Sequence, residues 1–338
     1  MSIFSGYHPP KDGTWTGRID DPDDFHSYRW HQIIELLDIS QEKTNLIFEG
    51  SKGFCFLGFC CDVGVERNLG RTGASKGPSS IRLEMSNLSC SFSRNTRLFD
   101  AGDIYCIDKD LSTAQEDLAK AVKIIRSMGL FPIVLGGGHE LAFGHYNGII
   151  DLLRDTKYKN KRSNEFSLGI INFDAHFDLR PYQQGASSGC MFSQITDLCQ
   201  EKKIHFSYMC IGIQKHSNTM SLFKRADKLG VKYILAKDIS DNTIPKIKKR
   251  IDCFINAHEH IYLTICTDVI SSAFAPGVSS PQPFGLQAEN ALTLIKHVVG
   301  SGKVISFDIA EVSPRFDEDN RTAKLAAIIV YAVVNLLQ

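Results

Sequence analysis

Asp174, His176 and Asp178 alternate within the stretch Asn-Phe-Asp-Ala-His-Phe-Asp-Leu-Arg at 172–180. Alternate residues of extended backbone project from one face, so the three side chains leave the chain together. Two carboxylates and an imidazole on one face are donors for a divalent cation. Three other segments carry groups of the same kind: Gly136-Gly137-Gly138-His139-Glu140, Cys266-Thr267-Asp268, and Asp308 followed by Glu311. Taken singly, each has an ordinary explanation: a turn histidine, a helix cap, an acid paired with an arginine. Taken together they gather several carboxylates and two imidazoles, and so many acids repel one another unless cations neutralise them. His139, Asp174, His176, Asp178 and Asp268, with Cys266 beside them, exceed what one tetrahedral metal needs. A two-metal site follows, with ions roughly 3.5–4 Å apart. A mostly oxygen donor set with two histidines favours manganese over a thiolate-rich zinc site. Such a pair holds a bridging water, lowers its pKa and aims hydroxide at an electrophilic carbon, so hydrolysis is the expected reaction class.

Each donor segment follows a short apolar run. Ser167–Phe173, Phe131–Leu135, Ile261–Ile265 and Lys303–Phe307 read as strands buried between helices. Gly53–Phe59, Arg97–Asp100, Ser207–Ile213 and Tyr233–Leu235 read as further strands, and helical patterns fall between them. A helix is expected to open at Gly77-Pro78-Ser79 and run to Leu88, and others to span Ser112–Met128, Leu141–Leu153, Phe192–Lys202, Thr219–Leu229, Gln287–Val299 and Thr322–Leu337. The polar stretch Lys157–Asn164 and the segment Pro181–Gly189 read as loops. Alternation of strand and helix predicts an α/β fold, a single doubly wound and mostly parallel sheet with helices on both faces. In such a sheet the carboxyl edge of the strands is where sites form. Residues 1–50, turn-rich at first, are expected to form an N-terminal arm packed on a catalytic domain of residues 51–338.

Composition narrows the partners. Lys plus Arg and Asp plus Glu number 38 each among the 338 residues, which removes the electrostatic argument for nucleic acid or a membrane surface. The basic run Lys246–Arg250 reads as a solvated helix face. Neither an export signal nor a run of about 18 apolar residues is evident, so the expected address is cytoplasmic. The 10 cysteines are scattered and no Cys-x-x-Cys occurs, which predicts reduced thiols. His145, His205, His216, His258, His260 and His297 have no matching context and receive no role.

The order Gly-Gly-Gly-His-Glu, Asn-Phe-Asp-Ala-His-Phe-Asp-Leu-Arg, the Asp268 segment and Phe-Asp-Ile-Ala-Glu-Val-Ser-Pro at 307–314 resembles the motifs of the ureohydrolase family, which includes arginases and agmatinases. The likeness is greatest to its formimidoylglutamase branch. It rests there on Glu-Arg-Asn-Leu-Gly-Arg-Thr-Gly-Ala at 66–74, Ser-Ser-Gly at 187–189, Ala-Pro-Gly-Val-Ser-Ser-Pro at 275–281 and Arg-Thr-Ala-Lys-Leu-Ala-Ala at 321–327. The resemblance implies an arginase-like fold and two Mn2+ per subunit on His139, Asp174, His176, Asp178 and Asp268. It implies Glu311 beneath the amidine or guanidine group, Ser188 in the substrate site, and a homo-oligomer, trimer or hexamer. The implied reaction is hydrolysis of N-formimino-L-glutamate to L-glutamate and formamide; agmatinase-like or arginase-like hydrolysis, and a metal-poor non-catalytic homologue, are the alternatives. Two departures stand out. Cys266 occupies the place of an aspartate expected to bridge both metals, and the loop at 181–193 lacks the histidine that arginase-like members carry.

The substrate's charges make a separate demand. An amidinium needs an anion such as Glu311, and two carboxylates call for arginine forks. Arg180, two residues beyond Asp178, and Arg71, in a glycine-rich loop, are the candidates.

Overall fold

The computed structural model describes residues 3–40, 52–159, 166–183 and 185–338. Its strands are β1 (Tyr7–His8), β2 (Ile34–Leu36), β3 (Gly53–Cys60), β4 (Arg97–Tyr105), β5 (Phe131–Gly136), β6 (Leu168–Phe173), β7 (Tyr208–Ile213), β8 (Lys232–Leu235), β9 (His260–Cys266) and β10 (Val304–Ala310). Its α-helices are α1 (Val63–Arg67), α2 (Gly77–Ser86), α3 (Leu111–Ser127), α4 (Leu141–Lys159), α5 (Met191–Lys202), α6 (Met220–Lys228), α7 (Ile244–Asn256), α8 (Ala288–Val299) and α9 (Arg321–Leu337). The polar stretch expected as a loop from Lys157 begins inside α4, which continues to Lys159; residues 160–164 of that expectation lie outside the described residues.

The strands form one sheet in the order β1-β4-β3-β5-β10-β9-β6-β7-β8, with β2 also pairing β4. Every pairing is parallel except that of β1 with β4. This is the α/β, doubly wound architecture expected from the alternation of strand and helix. Of the N-terminal arm expected over residues 1–50, Tyr7–His8 and Ile34–Leu36 lie along β4 as short edge strands, while residues 1, 2 and 41–50 are outside the described residues.

Strand alternation divides the core. Phe54 and Phe56 of β3 and Ile261, Leu263 and Ile265 of β9 face a layer built with α2, α7, α8 and α9. Cys55, Leu57 and Phe59 of β3 and Tyr262 of β9 face the layer of α3, α4, α5 and α6. Burial on both faces explains why these strands read as nearly continuous apolar runs. Among the described residues no helix is long and apolar enough to cross a membrane. The ten cysteines are all free thiols.

The register brings distant segments together. β5, β10, β9 and β6 are consecutive in the sheet and parallel, so their carboxyl ends open on the same edge. Those ends lead into His139, Glu311, Cys266 with Asp268, and Asp174 with His176 and Asp178. The turn after β5 is tightly fixed. Gly137 donates its N–H to the Phe59 carbonyl, Gly138 to that of Cys61, and Glu311 donates back to the Gly137 carbonyl. A Cβ on Gly137 would lie 2.2 Å from the Cys61 oxygen and 2.4 Å from the Phe59 oxygen, both backbone. Gly137→Ala is therefore expected to destabilise the protein by about 1–3 kcal/mol through overpacking, read as a lower urea midpoint with an unchanged slope; an unaltered midpoint would show that the turn is not constrained.

Candidate metal centre

Two donor groups converge at that edge. His139, Asp174 and Cys266 form one, and Asp174, His176 and Asp268 the other, with the ligand atoms of each within 4.8 Å of one another. Asp174 belongs to both, and its two oxygens divide the work. Oδ2 lies 3.0 Å from His139 Nδ1, and Oδ1 lies 3.5 Å from His176 Nδ1. Asp178 Oδ2 is 3.3 Å from His139 Nδ1, and Asp268 Oδ2 is 3.1 Å from His176 Nδ1. The structure thus brings together all six donors singled out in the sequence. It also locates the carboxylate shared by both groups at Asp174, whereas the thiol of Cys266 sits on the His139 side.

The state of these atoms tests whether cations fit among them. His139 Nδ1 and Asp268 Oδ1 are buried and have no hydrogen-bond partner among the described residues. Such an atom costs about 1–3 kcal/mol, and facing donors of this kind fit a cation between them. Electrostatics agrees. Burial opposes a charge on His139, yet the carboxylates of Asp174 and Asp178 together push it well above the ordinary imidazole range. His176 is likewise raised against burial by Asp268 and Asp174. Burial, then the Asp174 charge, pushes Asp178 up to about 6. Burial, then Asp268, Asp174 and Glu311, raises the Cys266 thiol. These shifts share one cause: carboxylates crowded out of water favour bound positive charge, whether proton or cation.

Local contacts fix the donors. Asp174 Oδ1 accepts from the His176 N–H at 2.7 Å, and Oδ2 from Asn172 Nδ2 at 3.1 Å. Asn218 clamps the same segment: its Oδ1 accepts from the Phe177 N–H, and its Nδ2 donates to the Ala175 and Gln214 carbonyls. Asp178 adopts φ 49°, a conformation that aspartate tolerates better than most residues.

Behind His139 lies a network that no sequence motif announces. His139 Nε2 is 2.8 Å from Thr264 Oγ1, which donates to Asp308 Oδ1 at 2.6 Å. Because the Thr264 hydroxyl gives its proton to Asp308, its oxygen receives the Nε2 proton, and Nδ1 is left to act as a ligand. Asp308 Oδ2 is bonded to Tyr262 and lies 2.6 Å from His145 Nδ1, whose other nitrogen is 2.5 Å from Ser306 Oγ. Asp308, expected among the acids of the cluster, is instead wholly buried within β10, and its oxygens are consumed by this network. His145, given no role from sequence, is its far anchor. The available signal was the occurrence of Thr264, Ser306 and Asp308 inside otherwise apolar strands.

The centre floors an open cleft of about 390 Å³ that Arg71, Arg180, Ser188 and Glu311 also line. Glu311, at φ 68°, accepts the His139 N–H with Oε1 at 3.0 Å. Its Oε2 is buried without a partner among the described residues. Burial first, then the charge of Glu140, raises its pKa well above the carboxylate range. Arg180 is exposed, and no hydrogen-bond or ion-pair partner engages its guanidinium among the described residues. Arg71 is differently disposed. Its Nε and Nη2 donate to the Ser279 and Val278 carbonyls at 3.0 and 2.6 Å, and its guanidinium stacks on Phe316 at 4.1 Å. Arg71 thus braces the cleft wall through two of its guanidinium donors and its stacking on Phe316.

The chain belongs to the arginase family, whose profile matches residues 52–335. Within that family, a formimidoylglutamase of Clostridium tetani is 50% identical over 334 residues, covering 98% of this chain and 96% of its own length. A formimidoylglutamase of Geobacillus thermodenitrificans is 43% identical over 321 residues, 95% of this chain and 94% of its own. The crystal structure of formimidoylglutamase from Bacillus subtilis shares the fold, with a TM-score of 0.77 at 22% identity over 96% of this chain and 94% of that one. The structure of Trypanosoma cruzi formiminoglutamase with Mn2+ does so with a TM-score of 0.72 at 23% identity, over 86% and 96%.

Thr264→Val removes the acceptor that orients His139. Affinity for divalent metal is expected to fall about 10–100-fold, measured by calorimetric titration of the metal-stripped protein, with Thr264→Ser restoring it. Unchanged affinity in the valine variant would remove Thr264 from the positioning of His139.

Proposed function

We propose that this chain hydrolyses N-formimino-L-glutamate to L-glutamate and formamide. One juxtaposition carries the reading: Glu311 Oε2, which has no partner among the described residues, and the unengaged Arg180 guanidinium line the same cleft. The 50% identity to a formimidoylglutamase over nearly the whole chain supports it.

His139, Asp174, Asp178 and Cys266 would hold one divalent cation, and Asp174, His176 and Asp268 the other, two per subunit; the Trypanosoma cruzi formiminoglutamase structure holds Mn2+. When bound, such a pair supplies neutralising charge and a water acidic enough to act as a nucleophile near neutral pH. The rest falls to the protein's own groups. Glu311 Oε2 takes the substrate's amidinium, an ion pair that relieves a carboxyl buried away from water. This contact holds the formimino carbon over the donors, and such positioning is a large part of what an enzyme contributes. Arg180 forks a substrate carboxylate at the mouth, and Ser188 lends its hydroxyl beside it. Arg71 keeps the wall in place through Val278 and Ser279. Water adds its oxygen to the formimino carbon, the bond from that carbon to the glutamate nitrogen breaks, and the nitrogen leaves as an amine after taking a proton. Formamide keeps the oxygen and the other nitrogen. The open cleft gives solvent access to the departing amine.

Assays with formiminoglutamate, arginine and agmatine test the assignment, with turnover of the first alone expected. Arg180→Ala should lower kcat/KM for formiminoglutamate by about 1.5–3 kcal/mol, the scale of a hydrogen bond to a charged group, mainly through KM. Glu311→Gln should depress kcat. Agmatine hydrolysis without formiminoglutamate hydrolysis would overturn the substrate.

A further inference from the structure

Cys266 is one of several buried cysteines, but its surroundings differ from theirs. Cys210 directs its sulfur at the carbonyls of Asp174 and His176, Cys190 at that of Ser187, and Cys199 lies against the Tyr146 hydroxyl. These are the contacts of structural thiols. Cys266, the last residue of β9 and 2% exposed, instead meets groups of the centre itself: its Sγ lies in a cluster with His139 and an Asp174 oxygen, and its thiol bonds the Asp268 side chain. Its position is set by pairing with Ala310 of β10, and Thr267 next to it is tied to the Ala310 carbonyl at 2.9 Å. His139 itself is 1% exposed, with its Nδ1 unpartnered and aimed at the same point. The second group, Asp174, His176 and Asp268, contains no sulfur.

We infer that the two metal positions are chemically unequal: the His139 position uses the Cys266 thiolate as a ligand and takes a borderline-soft cation such as zinc, iron(II) or cobalt(II), whereas the His176–Asp268 position takes a hard cation such as manganese. The inference rests on reading the donors as a two-metal centre. Sulfur donors raise preference for the later, softer first-row ions, while carboxylates and imidazole leave manganese competitive. The step is acid–base only. As the sulfur–metal bond forms, the thiol proton passes to solvent, and no oxidant or reductant takes part. The centre is thereby suited to hold two different metals, with Asp174 presenting one oxygen to each.

Cobalt(II) titration of the metal-stripped full-length protein tests this, because a cobalt–thiolate bond gives a near-ultraviolet charge-transfer band that oxygen and nitrogen donors do not. The expected result is a band in the native protein that saturates at one equivalent while visible cobalt absorption keeps rising to a second. The band should be absent from Cys266→Asp and Cys266→Ser, whose folding is checked by circular dichroism. Cys266→Asp should also bind manganese at least about tenfold more tightly, a gain of about 1.4 kcal/mol. Cobalt binding without the band in the native protein, or a band that survives in a folded Cys266→Asp variant, overturns the inference. The native titration decides the matter even if both variants fail to fold. Hydrolysis of formiminoglutamate is scored separately: activity without the band sinks the unequal sites and leaves the function, whereas the band without activity does the reverse.

Discussion

The structure is governed by the problem of keeping several carboxylates close together out of water. Asp174 is fully buried, Asp268 and Glu311 are nearly so, and Asp178 is at the margin. Two like charges a few ångströms apart in such a place cannot both stay ionised without compensation. Asp174 remains low only because His139 and His176 together overcome the effect of burial, while Asp178 and Glu311 are driven upward. This combination makes a poor scaffold but a good receptor for positive charge, the character that the proposed metals and amidinium require.

Holding such a cluster requires rigid support, which the sheet supplies by register. In the plane of the sheet, Asn172 of β6 pairs with Thr264 of β9, and Thr264 with Asp308 of β10. These three polar residues form a row one level below the donors, on the side facing α4. Asn172 reaches up to Asp174, Thr264 to His139, and Asp308 secures Thr264 while His145 and Tyr262 secure Asp308. A donor that must stay a free lone pair is thus oriented by hydrogen bonds on its other side, the usual way proteins set the tautomer and aim of a ligating histidine. The polar row weakens the apolar interior, and it is tolerated because nearly every member is satisfied.

The donors were legible in the sequence because two of their signals are local. Alternation at 174, 176 and 178 and apolar runs ending in polar residues both follow from strand geometry, and the arrangement of parallel strands followed from their alternation with helices. What escaped was non-local. Asp308 stands three residues before Glu311, so the linear chain suggests a common cluster, but in β10 one residue is locked inside the sheet and the other lies past its end. His145 meets Asp308 only because α4 packs over β10, a contact spanning 163 residues. Arg71 illustrates the same limit: its loop advertises a free guanidinium, yet the carbonyls it binds belong to residues 278 and 279. Asn218 has no motif at all, and its clamp on residues 175–177 exists only after β7 and β6 have paired.

In the proposed reaction, charge distribution would order the substrate end to end. The floor of the cleft presents the carboxyl groups of Glu311, Asp178 and Asp268, which bound positive charge would hold ionised, and the guanidinium of Arg180 lines the same cleft without a partner among the described residues. A molecule with an amidinium at one end and carboxylates at the other lowers its electrostatic energy in one orientation and raises it in the reverse, because each reversal sets like charges together in a partly desolvated site. Agmatine carries a cation at both ends, so one would satisfy Glu311 while the other met Arg180, a repulsion in place of an attraction. Discrimination of this kind comes from a penalty on the wrong ligand as well as a reward to the right one. It needs no close fit around the chain between the two ends, which is consistent with a cleft that stays open to solvent.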